Sequence, residues 1–139
     1  MALQKKHKRL LAYVGILGGL AVLALTFFTI SQFEKAKYQA SISMQLVCKN
    51  KLDDALDKDP NAKEDESSVY HPSAMYWQEN LDTFTEITKN NSIAYRATAI
   101  PAYLLSMSTL VAFGLILKHA ETAKEKEDEE AVIRPAEGK

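Results

Sequence analysis

The chain has 139 residues, of which 47% are hydrophobic and 25% charged, and its formal net charge at pH 7 is −1. A nearly neutral chain without a basic surface does not favour nucleic-acid binding, and a single cysteine, Cys48, excludes an internal disulfide. The length fits one domain. However, the apolar residues are concentrated in two uncharged segments, and these segments determine the predicted architecture.

The first segment predicts a transmembrane helix over residues 10–30, after a basic cytoplasmic N-terminus formed by residues 1–9. The 21 residues of the segment 10–30 carry no charge. A helix of that length extends about 31 Å, which matches the hydrocarbon core of a bilayer. A cleaved signal peptide is the alternative, but its apolar stretch usually has only about 7–15 residues. We therefore predict an uncleaved signal anchor.

The segment after the first span, residues 31–96, predicts a non-cytoplasmic loop with eight basic and eleven acidic side chains. Residues 58–72 are charged and contain Pro60, which is typical of a linker. We predict helices over residues 31–57 and 73–90, paired through the side chains of Ile42, Leu46, Leu81 and Phe84. The alternation of apolar and polar residues at 38–48 leaves a strand paired with residues 82–88 as the alternative.

The predicted outer helix contains the most site-like part of the sequence. Amphipathic aromatic and apolar side chains are typical anchors at a partner or at lipid headgroups. We take five of them as outer contact residues: Tyr70, Tyr76, Trp77, Leu81 and Phe84. His71 and Met75 are metal-ligand types four residues apart, but they lack the further ligands that a site needs. We therefore predict no metal and no cofactor.

The second uncharged segment predicts a transmembrane helix over residues 97–117, followed by a charged cytoplasmic tail at 118–139. Seven Lys and Arg residues lie within 15 residues of the spans on the terminal sides, against four on the loop side. Because positive charge favours the cytoplasm, we predict that both termini are cytoplasmic. The chain is thus predicted to be an all-α, two-pass membrane protein, a transmembrane helical hairpin with an extended outer helical region.

Small residues in both spans are the predicted helix-packing positions, since they allow two helix backbones to approach closely. In the first span they are Gly15, Gly18 and Gly19, with Gly15 and Gly19 forming a GxxxG pair; in the second they are Ala102, Ser106, Ser108 and Ala112. Their partner is either the other span or a second protein.

Neither span contains an ionisable side chain of the kind that transport requires, and no nucleophile with a base or phosphate-binding loop is recognisable. We therefore predict a protein that is not an enzyme, and specifically an accessory, assembly or regulatory subunit bound to larger integral membrane proteins. A homo-oligomeric pore is the alternative, with Thr98, Ser106, Ser108 and Thr109 as its polar stripe. A small sensor with an outer ligand-reading helical pair is the third hypothesis. The predicted location is a bacterial cytoplasmic membrane, because the N-terminus has no Arg- and Ser-rich transit segment. An endomembrane or plasma membrane of a eukaryote is the alternative.

Overall fold

The computed structural model describes the backbone of residues 2–137 and the side chains of residues 4–134. Two α-helices, α1 (Ala2–Lys58) and α2 (His71–Glu137), make up the described chain apart from the connection at residues 59–70. They are long, apolar in part, and packed as a hairpin, which confirms the predicted all-helical hairpin. Residues 38–48 are helical, so the strand alternative is wrong.

Helix α1 is continuous because residues 20–59 contain neither glycine nor proline, the two residues that most often end a helix. It ends at Lys58, two residues before Pro60. Helix α2 begins at His71, earlier than the expected Ser73, and its second residue is Pro72. Proline suits the first turn of a helix because its missing N–H has no intrahelical partner there.

The contacts divide the chain into two units. The terminal unit contains the chain up to Thr26 and from Pro101 onward, and the middle unit is Phe27–Ile100. Both contain a piece of each helix.

In the middle unit the two helices meet along a seam that recurs every three or four residues. On α1 the covered positions are Ser31, Glu34, Tyr38, Ser41, Gln45, Cys48, Leu52 and Ala55; on α2 they are Ala74, Trp77, Leu81, Phe84, Thr88, Asn91, Tyr95 and Thr98. This alternation of three and four is the heptad spacing of a coiled coil. The seam is antiparallel, because Gln45 Nε2 donates to Thr85 Oγ1 at 3.1 Å while Tyr38 stacks on Tyr95 at 6.3 Å.

The predicted outer pairing is half right. Leu81 and Phe84 are half-buried on the seam, but Ile42 is 41% exposed and Leu46 is 57% exposed. The α1 side of the seam is made instead of small and polar residues such as Ser41, whose hydroxyl donates to the Tyr38 carbonyl at 2.7 Å. Small residues there leave room for the bulky side chains that α2 presents.

The apolar core of the middle unit lies where its two helices meet the connection at residues 59–70. Leu52, Ala55, Ala62 and Ala74 are buried together, and Leu56, Trp77 and Leu81 pack against them. The connection folds over this cluster through Asp59, whose carboxylate accepts a hydrogen bond from the Ser68 hydroxyl and another from the Asn61 N–H at 3.0 Å. We call this cluster and its connection the tip.

The terminal unit is packed more sparsely. Its seam consists of Leu17, Leu20 and Ala24 on α1 and of Ala102, Leu105, Thr109, Ala112 and Ile116 on α2. Toward the chain ends, the Tyr13 ring meets the His119 ring edge-on at 6.2 Å and Lys6 forms an ion pair with Glu127. Both helices contain a stretch long and apolar enough to cross a membrane, and only 6% of each stretch is buried.

Candidate interaction surfaces

The glycines of the first apolar segment lie on an open face of α1. A Cβ atom added at Gly15, Gly18 or Gly19 would meet no heavy atom within 4 Å. The seam with α2 is formed by other residues, Leu17, Leu20 and Ala24. The small-residue face that the sequence singled out is therefore not used for packing within the terminal unit, and it leaves the helix backbone accessible to a second helix.

The small residues of the second apolar segment divide between two environments. Ala102 is 5% exposed and Ala112 is half-buried, both on the seam, whereas Ser106 and Ser108 are on exposed positions. The hydroxyls of both serines donate to carbonyls of their own helix, Ser106 to Ala102 at 2.7 Å and Ser108 to Leu104 at 2.8 Å. The two alanines thus pack between the helices of the hairpin, while the two serines face outward and their hydroxyls are hydrogen-bonded within α2.

Three of the four hydroxyls proposed for a pore lining, those of Thr98, Ser106 and Thr109, lie within about 80° around the α2 axis, and Ser108 lies on the other flank. Thr109 lies on the seam of the terminal unit and donates to the Leu105 carbonyl at 2.7 Å. Ser106 and Ser108 lie three residues and one residue before it, which places them on opposite flanks of that position, at about 60° and 100° around the helix axis. Thr98, in the middle unit, donates to the Tyr95 carbonyl at 3.0 Å.

The outer aromatic residues separate into a packed group and an exposed group. Trp77, Leu81 and Phe84 are half-buried in the middle unit, where Trp77 and Leu81 contact the tip cluster. Tyr70 and Tyr76 are 39% and 58% exposed. Two further apolar side chains at the tip are exposed: Val69 at 89% and Met75 at 46%. We call these four exposed side chains, Val69, Tyr70, Met75 and Tyr76, the tip patch; Val69 was not foreseen from the sequence.

His71 has a structural role in the tip. Its Nδ1 lies 2.7 Å from the Ala62 carbonyl, so the ring donates from Nδ1 and connects the start of α2 to the connection. Met75 is exposed nearby. In the described part of the chain, no three His, Cys, Asp or Glu side chains are placed to hold a metal ion.

Cys48 is 1% exposed on the seam of the middle unit. Because a thiol must be accessible to react, we expect Cys48 to react with a maleimide at least about tenfold more slowly in the folded chain than after denaturation. The matched control is Ser43→Cys in a Cys48→Ser background, since position 43 is exposed on the same helix. Equal labelling rates for the two thiols in the folded state would contradict the burial of Cys48.

Asp65 in the connection accepts hydrogen bonds from the Ser67 hydroxyl at 2.6 Å and from the Ser67 N–H at 2.9 Å. These two bonds, with a smaller contribution from His71, lower the pKa of the Asp65 carboxyl. A lowered folded-state pKa means that the charged form stabilises the turn above the unfolded pKa of about 3.9, and that this stabilisation is lost as the pH falls through the folded pKa.

We therefore expect the NMR titration midpoint of Asp65 to lie below about 3.9, and Ser67→Ala to raise it because the stronger of the two bonds is removed. Ser73→Ala serves as the control, since it removes an exposed hydroxyl, whereas the hydrogen bonds of Asp65 come from Ser67. An unchanged midpoint in Ser67→Ala would show that the hydroxyl does not determine the pKa.

Comparison of the chain with protein-family models, curated proteins and solved structures finds no match.

Proposed function

We propose that this chain is a two-pass integral membrane protein that acts as a non-catalytic accessory subunit of a larger membrane complex. The observation that carries the membrane assignment is the exposure of the apolar stretches, of which only 6% is buried in each helix. In a water-soluble protein, other parts of the chain bury the apolar residues of a core helix. Here a bilayer is the environment that supplies the missing cover.

The side-chain hydroxyls support the same assignment. Thr26, Ser106 and Ser108 lie in the apolar stretches at exposed positions, and each donates to a carbonyl of its own helix at 2.7–2.8 Å. A hydroxyl that faces lipid has no water to bond, so an internal acceptor removes most of the cost of its transfer. The stacked pair of Tyr38, eight residues after the first proposed span, and Tyr95, two residues before the second, is of the residue type enriched at bilayer interfaces.

The proposed orientation has both termini in the cytoplasm of a bacterium and the middle unit outside the cytoplasmic membrane. It rests on the basic cluster of residues 5–9, which carries no acidic side chain. A cysteine introduced at exposed Ser67 in the Cys48→Ser background is expected to react with a membrane-impermeant maleimide in intact cells. A cysteine at Thr122 is expected to react only after the membrane is opened. The reverse pattern would invert the orientation.

The open glycine face supports a partner in the membrane. Small residues on a spanning helix let a second helix pack against its backbone, and the hairpin itself leaves Gly15, Gly18 and Gly19 uncovered. The tip patch offers a second apolar surface outside the membrane, and exposed apolar groups that cluster in this way are typical of protein contacts. The accessory subunit would thus contact its partner both within and beyond the bilayer.

The experiment that tests this function is purification of the tagged chain from its native membrane in a mild detergent, followed by mass spectrometry and native sizing. Stoichiometric recovery of one or more larger membrane proteins is the expected result, and they would identify the complex. A homogeneous assembly of this chain alone would overturn the accessory role and favour a homo-oligomer. A chain that carbonate washing removes from the membrane would overturn the membrane assignment itself.

A further inference from the structure

A groove of about 530 Å³ lies in the terminal unit, between the start of α1 and the last third of α2. Its walls combine apolar and basic side chains. They are Lys6, His7, Arg9, Leu10 and Tyr13 on α1, and Ile116, His119, Ala120, Ala123, Lys124 and Glu127 on α2. The groove therefore sits where the predicted spans meet the cytoplasmic segments, at residues 10 and 117.

The charge of this groove differs from that of the tail around it. Lys6, Arg9 and Lys124 line it against a single carboxylate, Glu127, which is already paired with Lys6. Other acidic residues of the tail, Glu125, Asp128 and Glu129, line a shallow depression with Val132 and Ile133 instead. Helix α2 thus presents Lys124, His119 and two alanines to the groove and several of its acidic residues elsewhere, so the groove is suited to an anion although the tail as a whole is acidic.

The apolar wall of the groove is continuous with the proposed spans. Leu10 is the first residue of one apolar stretch and Ile116 is the last but one of the other, and Tyr13 lies one turn further along α1. The Tyr13 ring meets the His119 ring edge-on. This pair of polar aromatic rings lies in the groove together with the apolar wall and the basic side chains of Arg9 and Lys124. A ligand that is anionic at one end and aliphatic at the other matches this sequence of surfaces.

We propose that the groove binds one anionic phospholipid of the cytoplasmic leaflet, with its headgroup phosphate between Arg9 and Lys124 and its acyl chains along Leu10 and Ile116. Basic pockets between spanning helices on the cytoplasmic side are suited to such headgroups. The guanidinium of Arg9 is the group best matched to phosphate oxygens, because it can donate two parallel hydrogen bonds. This inference rests on the proposed membrane orientation, but not on the accessory role.

The test uses the full chain in nanodiscs of phosphatidylcholine that contain a minor fraction of phosphatidylglycerol, with retained lipids counted by native mass spectrometry. The unmodified chain is expected to retain one phosphatidylglycerol molecule in preference to phosphatidylcholine. The Arg9→Gln/Lys124→Gln variant is expected to lose this preference by about tenfold or more, since each basic side chain near the headgroup contributes several-fold to the affinity. The matched control is Lys8→Gln/Lys126→Gln, which removes one positive charge from each helix at positions that do not line the groove.

Equal loss of the preference in the variant and in its control would overturn the groove as a site and leave only general attraction between charges. Complete displacement of the lipid by millimolar inorganic phosphate would also overturn it, because the groove would then read phosphate without the acyl chains. Insertion into the nanodisc is measured separately by co-elution with the scaffold protein. A chain that does not insert would overturn the membrane assignment, whereas an inserted chain without lipid preference would overturn this inference alone.

Discussion

Replacement of Gly15 and Gly19 by leucine is expected to reduce the recovery of the proposed membrane partner by at least about tenfold while the hairpin stays folded. A Cβ atom at either position meets nothing within 4 Å in the chain, and leucine is favoured over glycine in a helix by about 0.5–1 kcal/mol per residue. The substitutions are therefore expected to leave the hairpin intact. They fill the space that a second backbone would occupy, so the loss appears in the tagged purification and not in the helical content.

The control for this experiment is Ala21→Leu, which adds bulk at an exposed position about 120° around the α1 axis from Gly15. We expect it to leave the partner bound. Full recovery of the partner with the Gly15→Leu/Gly19→Leu variant would show that the complex forms through another surface, such as the tip patch. Loss of the partner with both variants would show that added bulk anywhere on the first span disrupts the complex.

Truncation of Leu52 is expected to have the largest effect on the stability of the middle unit. Leu52 is 4% exposed and lies in the tip cluster with Ala62 and Ala74, which are fully buried. Small neighbours cannot reorient to fill the space that a leucine leaves, so Leu52→Ala is expected to cost about 2–4 kcal/mol of the free energy of opening the tip. Hydrogen exchange of the tip amides measures this free energy directly.

Leu46→Ala is the matched control, because it removes the same atoms from a side chain that is 57% exposed on the same helix. Its expected cost is below about 0.5 kcal/mol, the usual range for a surface substitution. Similar costs for the two variants would mean that the tip cluster is not the stabilising core of the middle unit. A cost for Leu46→Ala alone would imply that the exposed side of α1 is covered in the protein as purified.

The helices could be predicted from the sequence because their determinants are local. The two uncharged segments, the absence of glycine and proline over residues 20–59, and Pro60 in the connection are sufficient to predict where the chain is helical and where it turns. The expected start at Ser73 was two residues late, because His71 and Pro72 already occupy the first turn of α2. Differences of one or two residues at a helix boundary are usual.

The rotational position of each helix could not be predicted, because it depends on which residues the partner helix can approach. Apolar character favoured Ile42 and Leu46 as packing residues, yet the seam passes through Ser41, Gln45 and Cys48. Close approach of two helices selects small side chains as readily as apolar ones. For the same reason the sequence could name Gly15 and Gly19 as packing residues but could not say that α2 leaves them uncovered.

The groove near the chain ends was also not foreseen, since the sequence predicts only a charged tail over residues 118–139. The sequence does contain a signal for the groove. Ile116, Ala120, Ala123 and Glu127 are separated by four, three and four residues, so they share one side of α2. The net charge of the whole tail does not reveal this side of the helix, because the acidic residues of the tail outnumber the basic ones. Charge has to be read by helical face before a basic surface becomes visible in such a tail.

The length of the helical seam in the middle unit determines how far the tip patch lies from Ser31 along α1. From Ser31 to Lys58 helix α1 rises about 40 Å, so in the proposed topology a partner would reach the tip patch only by extending a comparable distance beyond the bilayer surface. The heptad spacing makes this distance adjustable in steps. Removal of seven residues from each helix would lower the tip by about 10 Å and return every remaining seam residue to its side of the helix. Partners of different height could thus be matched by chains that differ only in the number of heptads.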